Sequence, residues 1–201
     1  MGQLAEIPTN NRMRLIEAAT SAVLQDGYRV SIDRIAAMAG VAKQTLYNHF
    51  PNKADLFGEV VRQVTATILV SLEEDNRSLR ERLTHFAISI RGRALSPEGI
   101  AFYRTVASEA KRFPDLSASF YANGLEQSAN CLMKLLEKSM NLGELRRDDP
   151  KLAAQLLISM LVESERSRML FTDPEPSPPS TDDAARIVNI FLRAYSPSLE
   201  L

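Results

Sequence analysis

The chain has 201 residues, of which 45% are hydrophobic and 24% charged, and its formal net charge is −1. These values are ordinary for a folded globular protein, and no apolar run approaches the roughly 18 residues that a membrane span needs. The single cysteine, Cys131, excludes an internal disulfide, and no secretion signal is visible, so we expect a cytoplasmic protein without membrane contact.

Three short helices are predicted in the first quarter of the chain. The first begins near Asn10 and ends before an Asp-Gly pair. Ser31 is suited to cap the second helix, and Gly40 to end it, because glycine readily takes the left-handed conformation. The third helix is predicted over residues 42–48. Two short helices joined across a glycine turn predict a helix-turn-helix over residues 31–50.

Six longer helices are predicted in the rest of the chain, with no strand and no internal repeat. Apolar residues recur there with helical spacing, and Asp-Asn, Ser-Pro and Asp-Pro pairs mark the breaks. Residues 173–180 contain four prolines and are predicted as a loop. The predicted helices cover about 53–74, 79–93, 97–112, 114–140, 150–171 and 181–195. We therefore predict an all-α fold of nine helices.

The third helix combines side chains suited to a core with side chains suited to a charged partner. Val41, Leu46 and Phe50 are apolar, and polar residues lie between them. Residues 12–53 carry six Lys or Arg against three acids, which leaves a net charge of −4 on the remainder of the chain. A basic N-terminal quarter can hold phosphates while the acidic remainder keeps the chain dispersed. This asymmetry alone would not establish nucleic-acid binding.

The first turn of the third helix carries side chains that can read bases. Lysine can donate to guanine O6 and N7, glutamine can pair with adenine, and the threonine methyl can meet that of thymine. We therefore expect Lys43, Gln44 and Thr45 at base edges; the alternative for Gln44 and Asn48 is simple exposure to solvent. The complete set of predicted DNA contacts is Ser31, Lys43, Gln44, Thr45, Tyr47, Asn48, His49 and Lys53.

The remaining predicted contacts are suited to phosphates. Tyr47 and His49 offer neutral donors, while Lys53 and Ser31 lie at the starts of helices, where backbone N–H groups favour anions. Two alternatives stay open at this point. Tyr47 could be a half-buried core residue, and His49 could cap its own helix or be solvated.

Residues 10–57 resemble the N-terminal domain of TetR-type transcriptional regulators. The matching pattern is Ile32-x-x-Ile35-Ala36-x-x-Ala39-Gly40-Val41-Ala42-x-x-Thr45-Leu46-Tyr47-x-His49-Phe50-x-x-Lys53-x-x-Leu56. The segment Glu109-Ala-Lys-Arg-Phe-Pro-Asp-Leu-x-x-x-Phe120, with Gly143-Glu-Leu-Arg, resembles the subgroup with an AefR-like C-terminal region. The resemblance implies a DNA-binding domain over residues 1–56 and a helical ligand-binding and dimerisation domain over residues 57–201.

The last two helices carry apolar stripes that predict a homodimer interface. Two copies of each helix, paired across a two-fold axis, would form a four-helix bundle. The alternative is that these faces pack only within one chain. The predicted interface residues are Leu152, Leu156, Met160 and Leu161 in one helix and Ile187, Ile190, Phe191 and Ala194 in the other.

The middle helices carry candidates for a ligand pocket. Gly124 inside a helix costs about 1 kcal/mol relative to alanine, which indicates a need for space. The equally weighted alternative is that Gly124 allows tight helix packing and that the aromatic residues belong to the core. The predicted lining residues are Phe86, Ile90, Phe102, Tyr103, Val106, Phe120, Gly124, Ser128 and Cys131.

These observations predict a transcriptional repressor that binds a palindromic double-stranded DNA operator as a dimer and is released by a small-molecule effector. The alternatives are an activator, a ligand-independent DNA-binding factor, or a helical protein-interaction module without DNA binding. An enzyme is not expected, because two histidines and one cysteine show no metal-ligand spacing, phosphate loop or nucleophile elbow. For the same reason no metal or cofactor is predicted.

Overall fold

The computed structural model describes residues 9–26, 29–172 and 177–197. In these ranges all regular structure is helical, which confirms the predicted all-α fold of nine helices. The N-terminal helices are α1 (Thr9–Asp26), α2 (Ile32–Met38), α3 (Lys43–His49) and α4 (Lys53–Glu73). The body contains α5 (Leu79–Ala94), α6 (Pro97–Glu109), α7, α8 (Pro150–Thr172) and α9 (Thr181–Ala194).

Helix α7 is continuous but not uniform. It begins as the α-helix Pro114–Phe120, passes through the π-helical segment Tyr121–Glu126, and continues as the α-helix Gln127–Asn141. A π-helical turn holds one more residue than an α-helical turn, and such segments often occur at functional sites. Of the predicted loop over residues 173–180, residues 177–180 have no regular structure, and residues 173–176 lie outside the described part of the chain.

Side-chain caps explain why the helices begin where they do. Ser31 Oγ accepts a hydrogen bond from the Arg34 N–H at 3.1 Å, and Asn52 Oδ1 accepts one from the Asp55 N–H at 2.8 Å. Ser96 caps α6 in the same way, with proline as the first helical residue. Each cap satisfies a backbone donor that the first helical turn leaves without a partner.

The buried apolar side chains form two clusters, and α4 contributes to both. The N-terminal core contains the inward faces of α1–α3 and the first part of α4, and it extends to Val106 of α6 and Leu116 of α7. The body core joins α5, α7, α8 and α9 and receives Leu69 and Leu72 from the second half of α4. The domain boundary between residues 56 and 57 stays a prediction. The N-terminal core continues past it, because Phe57 belongs to that core.

An ion pair between a buried arginine and a partly exposed glutamate joins α5 to α8 within the body. Arg91 donates to the Leu161 carbonyl at 2.6 Å and to the Glu165 carboxylate at 2.6 Å. A buried guanidinium requires such partners because it has lost its hydration. Among the described helices, none is long and apolar enough to cross a membrane.

Candidate DNA-binding surface, ligand cavity and dimer face

The turn between α2 and α3 sets the direction of α3. Gly40 has a φ of 63°, the left-handed conformation that the sequence predicts, and the Val41 N–H donates to the Ala36 carbonyl at 3.0 Å. The guanidinium of Arg14 in α1 donates to the Gly40 carbonyl at 3.4 Å. The turn is therefore held both by its own backbone and by the first helix.

Helix α3 is divided into a buried face and an exposed face. Leu46 is fully buried and Phe50 is 3% exposed, so both anchor the helix in the N-terminal core. Thr45 is half-buried. Tyr47 is 40% exposed and is therefore not a core residue. The exposed polar face of α3 consists of Lys43, Gln44, Tyr47, Asn48 and His49.

Intramolecular contacts occupy part of this polar face. The Lys43 ammonium forms an ion pair with the Asp33 carboxylate of α2 at 2.9 Å, and this hydrogen bond raises the pKa of Lys43. Gln44 Nε2 donates to Asn48 Oδ1 at 3.2 Å. DNA would have to replace these contacts, and exposed pairs of this kind are weak enough to be exchanged.

The two predicted phosphate contacts at helix starts differ in their surroundings. Lys53 opens α4, its ammonium lies 5.6 Å from the centre of the Phe57 ring, and burial lowers its pKa. Ser31 caps α2 with its oxygen, which leaves the hydroxyl hydrogen to donate elsewhere. Lys53 therefore combines a cation with a helix N-terminus, the arrangement that favours phosphate.

A cavity of about 310 Å³ lies between α1, α4, α5, α6, α7 and α8. Its wall includes five side chains of α4 that the sequence did not assign to a pocket: Val60, Val61, Val64, Thr65 and Ile68. The predicted residues that line the cavity are Ile90, Phe102, Tyr103, Phe120, Gly124 and Ser128. The rings of Phe102 and Tyr103 meet Phe120 edge to face, with centroids 5.5 and 6.2 Å apart.

Three predicted pocket residues lie elsewhere, which corrects the prediction for them. Phe86 is fully buried in the body core, and Val106 is buried in the N-terminal core. Cys131 packs against the body core, where burial raises the pKa of its thiol. Helical spacing identifies an apolar face, but it does not reveal whether a neighbouring helix fills the space in front of it.

Gly124 fits both interpretations that the sequence left open. It lies in the π-helical segment of α7 and lines the cavity. A Cβ atom at this position would be 3.1 Å from Cγ1 of Val61, so the glycine also allows α7 to approach α4 closely. The Ser128 hydroxyl donates to the Gly124 carbonyl at 2.8 Å, which stabilises this part of the wall.

The buried cation of the cavity wall was missed by the sequence analysis. Arg166 of α8 has a side chain only 7% exposed, its Nη2 donates to Glu163 Oε1 at 2.5 Å, and its guanidinium lies 4.5 Å from the centre of the Tyr103 ring. The signal was present in the sequence, since Arg166 shares the helical register of the buried Val162 and Met169. A charged residue on a buried stripe marks a functional candidate.

The predicted dimer face is partly exposed and partly buried. Leu152, Leu156, Met160 and Ile190 are between 41% and 47% exposed. Ala194 is exposed and Ile187 is half-buried. The assignment of the other two residues is corrected: Leu161 is fully buried and Phe191 is 2% exposed, because both point into the body core of the same chain.

The α2–α3 pair, joined through the Gly40 turn, and the exposed polar face of α3 define a DNA-binding protein of the helix-turn-helix class. Residues 15–60 match the family described as "Bacterial regulatory proteins, tetR family". Residues 81–197 match the "AefR-like transcriptional repressor, C-terminal domain". The chain therefore belongs to the TetR family of transcriptional regulators, which confirms the family predicted from the sequence.

Full-length similarity to known proteins supports this assignment. The HTH-type transcriptional repressor DhaR of a Mycobacterium species is 26% identical over 194 residues, which cover 94% of each chain. A TetR-family regulator from Mesorhizobium loti has a structure that is 30% identical, with a TM-score of 0.77 over 94% of this chain and 98% of its own. The flavonoid-responsive regulator FrrA is 27% identical, with a TM-score of 0.71 over 95% of this chain and 100% of its own.

Proposed function

We propose that this TetR-family regulator is a repressor that binds a palindromic operator as a homodimer and is released by a small molecule in the cavity. The observation that carries the proposal is the position of α4, which begins next to the helix-turn-helix and then forms one wall of the cavity. The name of DhaR, a transcriptional repressor, and that of FrrA, a flavonoid-responsive regulator, support both halves of the proposal.

Dimerisation follows from the small number of contacts that one helix-turn-helix can make. One copy offers about 3–4 phosphate contacts, which corresponds to a salt slope near −3 at roughly −0.9 per contact. Two linked copies double this slope and read two half-sites about 34 Å apart, or a multiple of that spacing. We propose that the exposed residues of α8 and α9 join the two copies, with Leu156 and Met160 at the centre of the interface.

Side-chain contacts of α4 connect the cavity wall to the DNA-binding helices. Glu59, which is almost buried, forms ion pairs with Arg12 of α1 at 3.0 Å and with Arg62. The Arg62 guanidinium also donates to Asn123 in the π-helical segment at 3.2 Å. A ligand that displaces α4 or α7 would therefore move α1, and with it α3. The size of the response is bounded by the difference in ligand affinity between the two states.

Selection of genomic fragments by the purified protein tests the DNA half of the proposal. We expect an inverted repeat with a fixed half-site spacing among the recovered fragments. Recovery of no shared sequence would contradict specific DNA binding, and a solitary half-site would contradict the dimer. A reporter gene placed behind the selected operator then distinguishes repression from activation, because repression lowers expression when the regulator is present.

A further inference from the structure

The charged side chains of the cavity wall are unequally exposed. Arg93, Glu98, Glu163 and Arg166 all line the cavity, but the first three are exposed and only Arg166 is buried. Exposed charges are hydrated and screened, whereas a buried charge acts through a low local dielectric. Arg166 is therefore the charged group of the wall that solvent screens least, even though it is paired with Glu163.

The guanidinium of Arg166 has fewer partners than its burial demands. Its carboxylate partner, Glu163, has a side chain that is 55% exposed. The Tyr103 ring covers one face of the guanidinium. The buried Nε atom has no hydrogen-bond partner. A guanidinium carries five N–H donors, and leaving donors unmet in a buried position costs free energy. A second anion beside Arg166 would recover part of that cost.

The rest of the wall favours an apolar body. Most of its uncharged side chains are apolar, and the hydroxyls of Thr20 and Ser128 already donate to carbonyls of their own helices, each at 2.8 Å. The volume of about 310 Å³ is about twice the roughly 150 Å³ that accommodates benzene in an engineered apolar cavity. The cavity therefore matches two fused or linked six-membered rings.

We propose that the cavity takes a two-ring organic carboxylate whose anionic group is bound by Arg166, beside or in place of Glu163. This inference rests on the proposed function only in treating the bound molecule as the effector. Arg166 is then the residue that distinguishes an anion from a neutral molecule of the same shape. Glu163 is the group that competes with the ligand for the guanidinium.

The test compares 2-naphthoate with the neutral isostere 2-naphthamide by calorimetric titration of the full chain. We expect the carboxylate to bind at least about tenfold more tightly, as hydrogen bonds to a charged group imply. Arg166→Met should reduce this preference to near unity while the amide still binds, and Arg166→Lys should keep part of it. Arg168→Met, two residues away and outside the cavity wall, is the matched control and should retain the full preference.

Glu163→Gln provides a readout that misfolding cannot imitate, because it should increase affinity for the carboxylate. Equal affinity for the two compounds, a preference that survives Arg166→Met, or binding of neither compound would overturn the inference. Release of operator DNA is measured separately on the same samples. Naphthoate binding without release would contradict an effector role for this ligand and leave the carboxylate site standing.

Discussion

Lys43 and Asp33 form the ion pair that lies at the centre of the proposed DNA-binding surface. Their side chains are 53% and 67% exposed, so solvent screens the pair and it adds little to the stability of the fold. A guanine edge offers Lys43 the acceptors O6 and N7 in place of the two oxygens of the Asp33 carboxylate. The Asp33 carboxylate would then remain near the DNA without its partner, so these two residues should affect binding in opposite directions.

Replacing Lys43 tests whether this residue reads a base. We expect Lys43→Ala to weaken operator binding by about 1–3 kcal/mol, with a smaller loss on random DNA, because a base contact is sequence-specific. Fluorescence anisotropy with labelled duplexes measures both affinities. Lys151→Ala, which removes an exposed lysine of α8, is the matched control. Equal losses on the two DNAs would reassign Lys43 to a phosphate.

Replacing Asp33 tests the opposing charge. We expect Asp33→Asn to tighten binding to operator and random DNA alike, by about 1 kcal/mol or less, because one negative charge leaves the surface facing the phosphates. The same anisotropy assay applies. Asp115→Asn in the first turn of α7 should leave DNA binding unchanged. Weaker operator binding by Asp33→Asn would instead mean that the carboxylate orients Lys43 toward its base.

At the scale of helices, local chemistry explains which predictions succeeded. Ser31 caps α2 as predicted, because a cap depends only on residues within one turn, and Asn52 and Ser96 cap α4 and α6 by the same local hydrogen bond. The π-helical segment was not predicted; it lies where Gly124 allows α7 to approach α4 closely, a contact that helical periodicity does not reveal. The capping box of Ser78 and Glu81 was missed although its sequence signal was present.

The α2–α3 turn gives a stability prediction. Gly40→Ala should destabilise the fold by about 1–2 kcal/mol or more, because alanine is strained at a φ of 63° and its Cβ would lie 2.5 Å from Arg14 Nη2. Denaturant unfolding followed by circular dichroism measures the change. Gly143→Ala, at a φ of 75° with open space around it, isolates the backbone strain from the contact with Arg14.

A second control variant should change the free energy of unfolding in the opposite direction. Gly92 lies inside α5, and a Cβ at this position would have no neighbour within 4 Å. Gly92→Ala should therefore stabilise the protein by up to about 1 kcal/mol through helix propensity. An unchanged stability of Gly40→Ala relative to the native chain would contradict the role given to this turn.

The packing of the helices decides which side of an apolar stripe is buried, and periodicity alone does not predict this. The stripes of α8 and α9 were found, but Leu161 and Phe191 belong to the inward side of those helices and Leu156 and Ile190 to the outward side. Only the packing of α5 and α7 against them makes that division. The sequence marks Arg166 as a cation on an apolar stripe, but its contact with Tyr103, 63 positions earlier in the chain, depends on how the helices pack.

The outward face of α8 predicts the oligomeric state. We expect light scattering to give a mass near twice the 22.4 kDa of the chain at micromolar concentration. Leu156→Glu should shift the mass toward that of one chain, since an isologous interface places the charge twice within the same apolar patch. Val70→Glu, which alters an apolar residue of α4 that is more exposed than Leu156, should leave the mass unchanged. A native mass near 22.4 kDa would exclude the dimer.

The position of α8 predicts a link between ligand binding and dimer assembly. Gln155, Ser159 and Glu163 line the cavity, and Leu156 and Met160 lie on the neighbouring strip of the same helix. Since the proposed dimer face lies beside the cavity rim, ligand occupancy and dimer assembly would be linked equilibria, and linkage is reciprocal. A ligand that loosens the pair of subunits must itself bind more weakly to the pair than to the single chain. The dose-response curve of such a regulator therefore shifts with its own concentration.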